Sequence, residues 1–199
     1  MEQRLVPALR RLKKLLEEAS VELQLPISFA LIGGLAVSTW GAVRATQDVD
    51  LLANSVPSPI RDWRVRENLK KYLETKLCAV EWRIGDPDDP IPLLLKIELP
   101  ETLGSVGADI LWAHKRWQLE SLERTIGVEV EGDSLPVLHP EDLILMKLEA
   151  GGPQVFLDVQ QLLSVAPPQL DLMRLKRIAA RLRLGTMLQR CLREVGKKD

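Results

Sequence analysis

Between Phe29 and Leu52 the chain reads FALIGGLAVSTWGAVRATQDVDLL, and this stretch limits the available folds more than any other. A short apolar run, Phe29 to Ile32, breaks at Gly33-Gly34. A short helical pattern follows, with Leu35, Ala36, Val37 and Trp40 as its apolar positions, and Gly41 stops it. Arg44 and Thr46 then precede Asp48-Val49-Asp50, Leu51 and Leu52. The order reads as strand, glycine turn, short helix, strand. In a strand, residues i and i+2 share a face. Asp48 and Asp50 are therefore expected side by side, with Val49 and Leu51 pointing into a core.

Two like charges at this spacing repel unless a cation intervenes. Paired oxygen ligands suit Mg²⁺, which binds through one or two carboxylates plus substrate phosphates. A glycine pair after a strand lets backbone N–H groups approach a phosphate, at a helix start whose dipole favours anions. Each motif alone also has a plain structural reading, Gly-Gly as a turn and Asp-x-Asp as a loop or strand end. Their occurrence together, with Arg and Thr just ahead of the first Asp, is far more specific.

The glycine pair followed by RATQDVD resembles the nucleotidyltransferase superfamily that includes DNA polymerase β. More narrowly, it is similar to the minimal bacterial and archaeal nucleotidyltransferases, among them toxin enzymes of abortive-infection (AbiEii-like) and toxin–antitoxin systems. The resemblance extends over about Phe29 to Leu163. It implies an α/β (α+β) fold, a small mixed sheet flanked by helices with C-terminal helices packed on it. Residues 1–138 would form the nucleotidyltransferase core with its N-terminal helix, and 139–199 a C-terminal helical part of the same compact unit.

That family carries a third acidic residue on a later strand, near the strand start. In Ala108-Asp109-Ile110-Leu111-Trp112, an Asp interrupts an apolar strand, where burial is costly without a partner or cation. Asp109 is the candidate third carboxylate, its other reading being a strand-edge Asp in water. The resemblance then implies Asp48, Asp50 and Asp109 as ligands of two Mg²⁺ ions, with Mn²⁺ as a substitute, and Asp109 as general base. Gly33 and Gly34 would cradle the phosphates of an NTP such as ATP. Arg44 would offset developing charge, and Thr46 would orient the loop. Leu138 to Leu148 reads LHPEDLILMKL and resembles the start of the family's C-terminal part, where Lys147 matches a lysine near the nucleotide phosphates. By itself Lys147 is a lysine on an amphipathic helix. Relatives often carry a basic residue where this chain has Gly152, and an Asp where it has Val155. Asp158 matches a later family Asp, or is a helix-surface residue.

The remaining chain reads as support. Leu5 to Leu23 has a helical apolar period, with Pro7 tolerated in the first turn. Ile60 to Leu77 reads as a helix packing through Ile60, Trp63, Leu69, Leu73 and Leu77, with a basic side that reads as a solvated face. Ala79 to Ile84 and Leu93 to Leu99 read as strands, and Gly85 to Pro90 as a solvated acidic turn. Pro100 to Gly107 reads as a loop. Lys115 to Thr125 is expected to be helical, with His114 just ahead of it. Val128 to Val130 and Leu135 to Leu138 suggest a hairpin. Glu141 and Asp142 suit the positive end of a helix dipole. One last amphipathic helix runs from Leu172, with Arg174, Arg177, Arg181 and others making that end basic.

A net charge of −1 over 199 residues argues against a surface coated for nucleic acid. Cys78 and Cys191 have no metal-like spacing. No apolar run approaches a membrane span and no signal-type h-region opens the chain, so the expected location is the cytoplasm. The expected activity is metal-dependent transfer of an NMP from an NTP to a hydroxyl acceptor, a tRNA or RNA end, a protein or a small molecule such as an aminoglycoside. An antitoxin partner would accompany a toxin role. The alternative is a catalytically inactive nucleotide-binding or interaction module that keeps the fold.

Overall fold

In the computed structural model, residues 2–42, 45–76, 79–86, 89–101 and 104–196 are described. Strands β1 (Ile27–Leu31), β2 (Val49–Ser55), β3 (Ala79–Ile84), β4 (Leu93–Glu101), β5 (Gly104–Trp112), β6 (Ile126–Val130) and β7 (Asp133–Val137) form one mixed sheet in the order β3-β4-β5-β2-β1-β7-β6. Among the described residues, eight helices accompany them: α1 (Glu2–Glu22), α2 (Gly33–Thr39), α3 (Trp63–Glu74), α4 (Arg116–Leu122), α5 (Pro140–Ala150), α6 (Pro153–Val165), α7 (Leu172–Arg181) and α8 (Gly185–Glu194). The α/β architecture, a mixed sheet with C-terminal helices, is the one the sequence implies.

The central strands alternate. In β4, Leu93, Leu95, Ile97 and Leu99 are buried; in β5, Val106, Ala108, Ile110 and Trp112; in β2, Val49, Leu51 and Ala53. Helix α1 packs across β1, β2, β4 and β5, with α3 beside it over β3. Leu5, Leu9, Leu12, Leu16 and Ala19 form the buried stripe of α1, as a 3.6-residue period requires. The alternate residues of the same strands, Asp50, Lys96 and Asp109 among them, lie on the opposite, partly open face.

Several expectations are corrected. Pro100 to Gly107 is not a loop: among the described residues, β4 and β5 stay paired out to Glu101 opposite Gly104. Asp109 is consequently well inside β5 rather than near its start. Pro7 lies in the second turn of α1, not the first. Helix α3 starts at Trp63, after Asp62 caps it by accepting from the Arg64 N–H at 2.9 Å. Trp63 is then 59% exposed, and Val65 takes its place in the packing stripe with Leu69 and Leu73. The single last helix is two, α7 and α8, separated by Leu182 to Leu184 with Arg183 at φ +60°. Leu77 and Cys78 lie outside the described residues.

Glu141 and Asp142 have partners that no local pattern announces. They open α5 behind Pro140, at the positive end of the dipole as the helix signals require, and both are in addition fully buried. Arg124 reaches Glu141 at 2.9 Å and Asp142 at 3.2 Å, and Arg174 of α7 reaches Asp142 at 3.4 Å. Arg174 therefore belongs to an internal ion network and not to an exposed basic end. Burial pushes the Asp142 carboxyl above its ordinary 3.8, against the pull of Arg174 and Arg124.

Removing one partner of such a network strands the others without water. Arg124→Ala is expected to cost about 3 kcal/mol of unfolding free energy, read by urea denaturation. The raised Asp142 value means the folded chain binds that proton more tightly than the unfolded chain does. This group's contribution to stability is greatest below pH 3.8 and declines as pH rises through the raised value. Asp142→Asn should therefore gain stability relative to the wild type as pH increases from about 4 to about 7, measured in the same assay.

Candidate functional site

The site is built where β2 runs parallel to β5. Their register sets Val49 opposite Ala108 and Asp50 opposite Asp109. Because paired residues on neighbouring strands share a face, the two carboxylates stand next to each other. On the far side of β5, Lys96 of β4 is the register partner of Asp109. Its Nζ lies 3.1 Å from one Asp109 carboxylate oxygen and 3.2 Å from the other. Asp48 falls in the bend before β2, which begins at Val49, and it is exposed; the expected strand position for Asp48 is corrected to this bend.

Three glycines make room for these side chains. Gly33 opens α2 at φ +65°, a left-handed conformation that favours glycine. A Cβ there would lie 1.9 Å from Asp50 Oδ2. A Cβ on Gly34 would lie 2.7 Å from the Cβ of Thr46. A Cβ on Gly107 of β5 would lie 2.7 Å from Asp48 Oδ1. The glycine pair is thus required sterically by the residues of the Asp-x-Asp segment. The Ile32 N–H donates to the Asp50 carbonyl at 2.9 Å, and the Trp40 indole N–H donates to the Leu138 carbonyl at 2.9 Å. These bonds fix both ends of the short α2. Thr46 Oγ1 donates to the Asp48 carbonyl at 3.4 Å, closing the turn into β2.

A cleft of about 250 Å³ opens over this face. Gly33, Asp50 and Asp109 form one wall, and Leu143, Met146 and Lys147 of α5 another. Ile91, Leu94, Leu111 and Val155 make much of its lining apolar. Lys147 is 14% exposed, and its Nζ sits 2.5 Å from Asp158, which is 1% exposed. Asp158 is therefore not a helix-surface residue but a buried counter-ion under a cleft lysine. Gly151 and Gly152, both at positive φ, break the chain between α5 and α6 and let Asp158 come back beneath Lys147. A second hollow beside the first is lined by Asp48, Gly107, Lys96 and Asp109.

The structure thus gathers Gly33, Asp50, Asp109 and Lys147 in one cleft and keeps Asp48, Gly34 and Thr46 immediately beside it. Arg44 lies outside the described residues. His114 does not line the cleft among the described residues; burial first, then Lys115, pushes its imidazole below the usual 6.5. Asp89 of the acidic turn accepts from the Asp86 N–H at 2.9 Å, a local turn contact. Sequence reasoning passed over Lys96, Gly107, Gln118 and Glu149. Lys96 interrupts an apolar strand just as Asp109 does, and that was a legible signal. Gln118 and Glu149 line the cleft only because α4 and α5 meet there, which no local pattern announces.

An oxygen-preferring cation fits the donor set. Asp50 and Asp109 are register partners in one cleft, and Gly33 gives up its Cβ position to the Asp50 carboxylate. Among the described residues, however, no group of three or more His, Cys, Asp or Glu is close enough to hold a metal. Asp48 lies in the bend and lines the second hollow rather than the cleft, and Asp109 is engaged by Lys96.

The chain belongs to the family described as "Nucleotidyltransferase of unknown function (DUF6036)", whose model matches residues 9–189. No curated protein sequence matches the chain. Similar solved structures include an antigenic nucleotidyltransferase-like protein from Paracoccidioides brasiliensis, at 17% identity and a TM-score of 0.46, covering 90% of this chain and 89% of that one. The antibiotic-resistance factor ANT(2″)-Ia in solution has 16% identity and a TM-score of 0.49, covering 93% and 97%. A lincosamide antibiotic adenylyltransferase with lincomycin bound has 12% identity and a TM-score of 0.44, covering 78% and 96%. Among the described residues, no helix is long and apolar enough to cross a membrane.

The glycine geometry separates two kinds of substitution. Gly107→Ala meets only the end of an exposed side chain at an ordinary backbone angle, so the protein should keep its melting temperature while Asp48 is pushed aside. Gly33→Ala meets Asp50 at φ +65° and should lower unfolding stability by more than about 1 kcal/mol. Thermal melts of the two variants side by side check this contrast.

Proposed function

We propose that this protein transfers a nucleoside monophosphate from an NTP to a hydroxyl acceptor. The observation that carries the reading is the register of Asp50 against Asp109 in a cleft shared with Gly33 and Lys147. In the reaction, the acceptor oxygen bonds to the α-phosphorus of the NTP. The bond from that phosphorus to the bridging oxygen breaks, and pyrophosphate leaves. Asp109 takes the hydroxyl proton. Asp50 and Asp109, joined by Asp48, would hold Mg²⁺. When bound there, the metal would acidify the acceptor hydroxyl and offset charge on the triphosphate. Lys147, kept in place by buried Asp158, faces the same cleft and would meet the phosphates. Arg44 is proposed for the same task, and the Gly33 and Gly34 amides for close approach to phosphate oxygens.

The acceptor is proposed to be macromolecular, an RNA end or a protein hydroxyl. Beyond Asp109 the sheet face stays open, carrying Lys96, Glu98, Glu81 and Arg83, so a bulky acceptor can approach. The resemblance to toxin-type enzymes makes growth arrest on expression, relieved by a neighbouring antitoxin, the corresponding cellular phenotype. A second reading is a nucleotide-binding module without turnover. It is favoured by the absence, among the described residues, of a closed three-carboxylate group, and by Gly152 and Val155 where relatives carry functional side chains.

Incubation with Mg²⁺, each α-labelled NTP in turn, total tRNA and cell lysate distinguishes the two. Label on RNA or protein, lost in the Asp48→Ala, Asp50→Ala double variant, is the expected result. A folded protein that binds Mg²⁺–NTP and transfers nothing would instead support the binding module.

A further inference from the structure

We propose that Lys96 is a built-in counter-ion that occupies the Asp109 carboxylate and must release it before a divalent cation can be bound there. The inference rests on the reading of Asp109 as a metal ligand and adds the residue that controls access to it. Lys96 is not a random surface contact. It is the direct register partner of Asp109 in the β4–β5 hairpin, so its side chain leaves the sheet on the same face at the same level. Its ammonium sits between both carboxylate oxygens, at 3.1 and 3.2 Å, and so competes with any cation for the same negative charge. Both residues line the hollow that Asp48 and Gly107 also line.

The partial exposure of the pair, 38% for Lys96 and 28% for Asp109, makes the contact breakable. A buried pair would hold the carboxylate permanently. A partly solvated one yields when a stronger attraction arrives. A free divalent cation must displace the ammonium unaided. An NTP arriving with its cation brings phosphate oxygens, to which the released Lys96 can turn. The pair thereby disfavours loading by metal alone and favours loading by metal together with triphosphate.

Mn²⁺ binding to the full chain without nucleotide, followed by electron paramagnetic resonance, tests this. Lys96→Met keeps the aliphatic stem and removes the charge, and should bind Mn²⁺ about tenfold more tightly than the wild type. Lys96→Arg should stay near the wild type. Adding Asp109→Asn to Lys96→Met should abolish the gain. Unchanged or weaker Mn²⁺ binding by a folded Lys96→Met would overturn the counter-ion role while leaving Asp109 as a ligand, provided Asp109→Asn alone weakens Mn²⁺ binding measured with NTP. If Asp109→Asn has no effect with or without NTP, the underlying ligand assignment fails and this inference fails with it. Both Lys96→Met and Lys96→Gln are melted beside the wild type, and a folded Lys96→Gln should show the same gain in Mn²⁺ binding.

Discussion

The parallel pairing of β2 with β5 is the constraint on which the remaining structure depends. These strands are distant in sequence, and a parallel pair needs a long crossover. Here α3 and the β3–β4 antiparallel pair fill that crossover, so the sheet extends on one side while the two strands are brought together. A slip of one residue would send Asp50 or Asp109 into the apolar layer under α1 and bring Val49 or Ala108 to the open face. The buried alternation of three strands therefore sets the position of the carboxylates. The cleft chemistry is a by-product of a register chosen by the core.

Around that pairing, charge is handled in two ways. At the cleft, Asp109 and Lys96 are partly open to water, and Lys147 sits over the buried Asp158. Behind the cleft, Glu141 and Asp142 are sealed with Arg124 and Arg174. The sealed network ties α5 to α7 and to the segment after α4, and so fixes the helix that carries Lys147. Carboxylates removed from water hold the frame, and the partly wetted Asp109–Lys96 pair remains able to exchange partners.

Much of this was legible in the sequence because it is local. The strand, glycine turn, helix and strand from Phe29 to Leu52 follow from period and punctuation, and α5 from Pro140 and the acidic residues after it. Asp109 could be picked out as a charge in an apolar run. What escaped was long-range. Pro100 to Gly107 looked like a loop because glycine and proline are frequent there, yet cross-strand pairing with β4 overrode that composition. Glu141 and Asp142 were legible only as helix-dipole partners because their arginines lie 17 and 32 residues away. Asp158 looked like a surface residue because the Gly151-Gly152 turn that folds it under Lys147 cannot be read from helical period.

The glycine contacts also leave a trace in inheritance. Gly107 has an ordinary backbone angle, and what excludes a side chain there is the carboxylate of Asp48, 59 positions earlier in the chain. A descendant that abandons Asp48 for a smaller residue is released from that restriction and free to drift at 107. Positions 48 and 107 should therefore change together across a lineage, and a side chain at 107 would mark copies whose first carboxylate has already fallen out of use.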